Sequence, residues 1–146
     1  MTGGSLLDTN ILSETLRPIP SPKVVTWLES QSKDVQFVSV VTIGELRRGT
    51  ALLPEGSKRE KLEEFIDIEI PLWFGPRILP VTQSIAERWG VLEAMCQSHG
   101  TPVNTADGMI AATALEHGLT VVTRNVKDFS LSSVPLFRPV GNVSQR

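Results

Sequence analysis

The 146-residue sequence has a single cysteine, Cys96, so no intramolecular disulfide can form. Its two histidines, His99 and His117, together with that cysteine, are too few for a structural zinc site inside one chain. Tyrosine is absent. No apolar run approaches the roughly 18 residues that a membrane-spanning helix needs. Neither sign of charge dominates: 14 Lys and Arg stand against 16 Asp and Glu, a net charge of −2. That excludes a strongly basic nucleic-acid coat, but not a protein that meets nucleic acid at one local site. Residues 1–5 carry no basic segment followed by a long apolar one, so no secretory signal is expected. With the cysteine usage, this makes a reducing, cytoplasmic setting the expectation. The length suits one domain over residues 1–146, large enough to bury roughly 70% of its unfolded surface.

What is present is an alternation of apolar runs and amphipathic segments. Strands are expected at 5–7, 35–41, 78–81, 119–122 and 136–137. Helices are expected at 10–16, 23–30, 57–68, 82–98 and 105–117, with a further one that Thr42 would cap. Pro18, Pro20 and Pro22 interrupt the first helix, and Gly118 stands at the stop position of the last. Trp27, Trp73 and Trp89 read as structural by spacing. Trp73 and Phe74 fall in a Pro- and Gly-flanked stretch read as an exposed loop, available as partner surface. The pattern predicts an α/β fold around a mostly parallel sheet.

In such sheets, sites form at the carboxyl ends of the strands. Asp8-Thr9-Asn10 follows the first strand, and Glu45 follows the second. Asp107 opens the helix at 105–117, and Thr123-Arg124-Asn125 followed by Asp128 ends the fourth strand. Carboxylates gathered at one edge would repel one another, and a hard divalent cation with oxygen preference removes that conflict. Each acid also has a structural reading. Thr42-x-x-Glu45 fits a capping box. Asp107 suits the first turn of a helix, Asp8 could cap the next helix, and Asp128 could lie in a solvated turn anchored by Phe129. Arg17, Arg47, Arg48 and Arg124 could form a basic rim around this acidic centre, or simply be solvated surface. His99 and His117 each precede a glycine at a helix end, where a cation suits the dipole.

The segments 6–10, 42–49, 104–112 and 122–129 resemble the four motifs of PIN-domain ribonucleases, in order and over nearly the whole chain. More narrowly, the chain resembles VapC-type toxins of bacterial toxin–antitoxin pairs, in the FitB-like branch. The resemblance implies an α/β/α sandwich and Mg²⁺- or Mn²⁺-dependent cleavage of RNA phosphodiester bonds. It implies Asp8 and Asp107 as metal-ligand aspartates and Glu45 as the catalytic glutamate, itself able to hold a second cation. Asn125 stands where many members have aspartate, so Asn125 or Asp128 fills the fourth catalytic position. Arg47, Arg48 and Arg124, with Thr9 and Asn10, are the expected substrate-binding residues. Thr123 is expected to hold the end of the fourth strand by bonding a neighbouring carboxylate. The implied partners are RNA as substrate, a second copy of the chain, and a small antitoxin through which alone operator DNA would be touched. Two other readings stand beside it: a catalytically weak binding module on the same fold, and a metal-dependent phosphatase or phosphotransfer domain using Asp8 as nucleophile. The second is disfavoured because Asn10 stands where such enzymes place another acid.

Overall fold

The structure is a computed structural model and describes residues 3–129 and 135–139. Strand β1 (Ser5–Leu7) leads into helices α1 (Thr9–Thr15) and α2 (Pro22–Ser30). Pro22 occupies the first turn of α2, where its missing N–H leaves no bond unmade. Strand β2 (Gln36–Ser39) then runs into α3 (Val40–Leu52), and α4 (Ser57–Glu64) and α5 (Ile70–Phe74) follow. The remaining elements are β3 (Ile78–Leu79), α6 (Gln83–Ser98), α7 (Thr105–His117), β4 (Thr120–Val122) and β5 (Leu136–Phe137).

Four local expectations are corrected. The second strand stops at Ser39, not at residue 41, because the Ser39 hydroxyl accepts the Val41 N–H at 2.9 Å and starts α3 there. Thr42 therefore lies inside the helix, fully buried, and is not its cap. The helix expected at 57–68 changes to a wider π turn over Phe65–Glu69. Pro71 has no N–H to give the Asp67 carbonyl and its ring would crowd it, and the widened turn absorbs that conflict. Trp73 and Phe74 are not in an exposed loop. They lie in α5, where Phe74 is fully buried and the Trp73 indole N–H donates to Gln36 Oε1 at 2.8 Å.

The five strands form one parallel sheet in the order β3-β2-β1-β4-β5. Successive side chains point to opposite faces, and both faces are covered. Leu7 and Val122 join a cluster with Ile11, Leu12, Phe65, Ile70 and Phe74 from the helices between β1 and β3. Leu6 and Val121 join a second cluster with Leu92, Cys96, Ile110 and Ala114 of α6 and α7. The result is a helix–sheet–helix sandwich. After β1 the chain fills the sheet toward β3, then crosses to the other side of β1 for β4. That reversal leaves a crevice at the carboxyl ends of β1 and β4, the expected position for a site in an open α/β sheet. Among the described residues, no helix is long and apolar enough to cross a membrane.

Two glycines set α7. Gly118, at φ +65°, takes the left-handed turn that ends it, as its place in the sequence suggests. Gly108 lets α7 approach α6: a Cβ there would meet Trp89 Cδ1 at 2.9 Å and Nε1 at 3.0 Å. The close approach fixes the depth at which Asp107, one residue earlier, enters the crevice. In an open helix, Gly→Ala stabilises by about 1 kcal/mol, whereas overpacking costs about 1–3 kcal/mol. Gly108→Ala is therefore expected to lower the urea midpoint; a rise would show that α6 and α7 can separate freely.

Candidate active site

The crevice is a polar cleft of about 420 Å³ lined by residues from all four sequence segments singled out above, with Glu45 of α3 contributed by the second. Asp8, Thr9 and Asn10 come from the β1–α1 junction, Asp107 from the first turn of α7, and Arg124 and Asn125 from the end of β4. The fold thus brings Asp8, Glu45, Asp107 and Asn125 to one opening. Asp128 falls in a short 3₁₀ turn, Val126–Phe129, anchored by buried Phe129; its side chain lies outside the described residues. Arg47 and Arg48 are exposed on α3 and do not line the cleft. Arg47 is ion-paired with Asp67.

Asp8 is only 4% exposed. Its Oδ1 accepts the Thr9 N–H at 2.8 Å, so it does cap α1. Its Oδ2 accepts the Thr123 hydroxyl at 2.8 Å and the Asn10 amide at 3.2 Å. Asn10 also donates to Thr123 Oγ1 at 3.2 Å and accepts the Arg124 N–H at 3.1 Å. Thr123 in turn accepts the Asn125 N–H at 3.0 Å. A buried carboxylate demands such donors, and meeting the demand ties the ends of β1 and β4 together. Thr123 holds a carboxylate, as expected.

Glu45 does not make the capping box. Ser39 caps the helix, and Glu45 instead accepts the hydroxyl of Thr9 across the cleft. Thr9 also shares a 3.1 Å hydrogen bond with the Thr42 hydroxyl. Thr9 therefore orients Glu45 rather than standing free for substrate. Asp107 lies in the first turn of α7, whose cap is Asn104, accepting from Ala106 and Asp107 N–H at 2.8 and 3.3 Å. The positive end of the helix dipole favours a carboxylate there. His99 and His117 lie at helix ends away from this cleft, as expected for structural residues.

Sequence reasoning missed Glu14. It is 3% exposed and lines the cleft. Its carboxylate accepts the Ser21 N–H at 2.8 Å and pairs with Arg124 at 2.6 Å and Arg17 at 3.4 Å. The signal was available: Asn10, Ser13, Glu14 and Arg17 recur at helical spacing along one face of α1 and the turn after it. The Ser21 N–H, then the Arg124 and Arg17 charges, hold the Glu14 carboxyl below the usual carboxylate range against the opposing effect of burial.

The donors facing the cleft are carboxylate and amide oxygens, the set that Mg²⁺ or Mn²⁺ prefers. They do not form a closed cage. Among the described residues, no group of three or more His, Cys, Asp or Glu stands close enough to hold an ion unaided. An open half-site of this kind suits Mg²⁺, which keeps several waters and takes one or two carboxylates plus substrate phosphate oxygens.

A three-layer α/β protein with an acidic cleft at its sheet reversal is the class that fold and site define. The family model of the PIN domain matches residues 5–131. Over 134 residues the chain is 42% identical to Toxin FitB of Neisseria gonorrhoeae, covering 92% of this chain and 96% of that one. It is 31% identical, at the same coverage, to VapC ribonuclease Y4jK of Sinorhizobium fredii. The solved structure of FitAB bound to a DNA fragment superposes with a TM-score of 0.86 at 38% identity, covering 95% of this chain and 99% of the matched one. The chain belongs to the PIN-domain family, in its group of VapC- and FitB-type toxins.

Because its folded pKa is lowered, Glu14 contributes stability that is present above its unfolded pKa and lost as pH falls through the folded value. Urea midpoints measured from neutral pH down through the acid range, from about pH 5, should fall less steeply for Glu14→Gln than for the unmodified protein. Parallel curves would mean that Glu14 is not held ionised by its partners.

Proposed function

We propose that this chain is a metal-dependent endoribonuclease and the toxin of a toxin–antitoxin pair. The observation that carries the reading is the convergence of Asp8, Glu45 and Asp107 on one polar cleft at the sheet reversal. The names of its relatives, a toxin and a VapC ribonuclease, support it. A small antitoxin is the proposed partner, with operator DNA reached through it, as the DNA-bound FitAB complex suggests. The proposed setting is the cytoplasm, and the proposed assembly a homodimer.

Asp8 and Asp107, completed by waters and substrate phosphate oxygens, would hold Mg²⁺ or Mn²⁺. When bound, the ion supplies charge neutralisation at a phosphate oxygen and a water acidified toward neutral pH. Asp8, fixed by the Thr9, Thr123 and Asn10 donors, presents its carboxylate in one orientation and needs no reorganisation to bind. Glu45 has one oxygen held by the Thr9 hydroxyl, and its other oxygen is left to orient the attacking water and accept its proton. Arg124, at the cleft wall, carries the positive charge that draws the phosphodiester in. A phosphodiester resists hydrolysis because it is anionic and its leaving group is poor, and these groups address both obstacles.

The test uses short single-stranded RNAs with Mn²⁺ or with EDTA, beside an aryl phosphate. RNA cleavage that EDTA abolishes is expected, with Asp8→Asn inactive while circular dichroism stays unchanged. Glu45→Gln should lower kcat by about 10²–10⁴-fold. Full cleavage by Asp8→Asn rejects the assignment. Phosphate release without RNA cleavage would favour a phosphatase, and no turnover of either substrate a binding module.

A further inference from the structure

Beside the acidic cleft lies a second, smaller depression of about 280 Å³, lined by Asn10, Arg124, Asn125 and Arg138. Asn10, Arg124 and Asn125 line both, so the two share a wall. Their charge is opposite. The cleft has four acidic side chains, Asp8, Glu14, Glu45 and Asp107. The depression has two guanidiniums and two neutral amides, and no carboxylate among its described lining residues.

Sheet pairing builds this depression. β4 and β5 run parallel with Val122 beside Phe137, and the Thr123 N–H donates to the Phe137 carbonyl at 3.0 Å. Residues 124 and 138 therefore leave the sheet side by side. Arg124 is held in place by buried Glu14, which takes one of its terminal nitrogens at 2.6 Å. A guanidinium has five N–H donors in a fixed fork, so most of them remain for a ligand. Asn10 is a divider rather than a ligand. Its amide nitrogen is committed to Asp8 and Thr123, and its oxygen to the Arg124 backbone. The Asn125 side chain is exposed, and no hydrogen bond engages it among the described residues. Arginine forks beside an amide donor are the chemistry of phosphate recognition. An aspartate at 125 would place a repelling carboxylate in the depression, and the asparagine avoids it.

We propose that Arg124, Arg138 and Asn125 form a phosphate subsite that holds the RNA phosphodiester adjacent to the one cleaved in the acidic cleft. The proposal rests on the ribonuclease reading for its substrate, and Glu14 is the positioning residue that aims Arg124. Asn125 thus acts in binding RNA, in place of the fourth acidic position that the family pattern suggests.

The test is binding of a fluorescein-labelled single-stranded RNA, followed by anisotropy in EDTA over a range of salt concentrations, so that catalysis and metal play no part. Arg138 is exposed, and its replacement leaves the core untouched. Arg138→Gln should weaken binding several-fold and reduce the salt slope by about 0.7–1, the signature of one lost phosphate contact. Arg138→Lys should restore the slope, because charge and not packing is at issue. Asn125→Asp should weaken binding in the same assay. In cleavage assays, the effect of Arg138→Gln should appear as a raised KM. If RNA is cleaved but Arg138→Gln and Asn125→Asp leave affinity and slope unchanged, the subsite is overturned and the nuclease reading stands. If binding shows the Arg138 dependence but no divalent cation supports cleavage, the subsite stands as a phosphate site and the nuclease reading fails.

Discussion

The carboxylate of Asp8 is buried at the carboxyl end of the central strand, and its burial demands donors. Thr9 N–H, the Thr123 hydroxyl and the Asn10 amide supply them. These come from the start of α1 and from the end of β4, so a single acid caps a helix, ties two strands and defines the wall of the cleft. An unsatisfied buried carboxylate would cost several kcal/mol or take up a proton. The local structure around residues 8–10 and 123–125 follows from avoiding that cost. The same bonds hold the carboxylate in one orientation, which is what binding a cation or polarising a phosphate requires.

A second buried acid organises the positive side of the site. Glu14 accepts from the Ser21 backbone and draws Arg17 and Arg124 toward it. Its single negative charge positions both arginines and offsets one of them, so one net positive charge remains beside the cleft. The near-neutral balance of the whole chain hides this separation. Acidic groups converge on one depression while arginines and amides line the next, a few residues apart along the same strand ends. Net charge describes solubility and long-range steering, whereas the site depends on how opposite charges are divided over two adjoining hollows.

Much of the architecture was readable because its signals are local. Pro22 and Gly118 mark the start and end of their helices, and apolar doublets such as Leu6-Leu7 and Val121-Val122 mark strands buried on both faces. Asp8, Glu45 and Asn125 stood out through their positions after strands and Asp107 through its place at a helix start, and the cleft gathers all four. The errors came where a tertiary partner outbid a local preference. Glu45 reaches Thr9 and not its own helix N-terminus, because Ser39 had already capped that helix. Phe74 escapes solvent because Pro71 and Gly75 bracket a short helix turned into the core. Arg47, two residues after Glu45 in sequence but not in the cleft, pairs with Asp67 of the π turn.

By itself, the sequence determined the alternation of strands and helices, the burial of both sheet faces and the residue types available for metal and phosphate chemistry. These rest on periodicity and on side-chain chemistry, which any short window displays. Only the tertiary structure decided the strand order β3-β2-β1-β4-β5 and hence where the sheet reverses. It also decided that Glu14 is buried against Arg124, and that Arg138, at the end of the last strand, stands beside Arg124. Those relations join residues more than a hundred positions apart or on opposite sides of a strand pair. They arise from hydrogen-bonded register between strands, which no local pattern encodes.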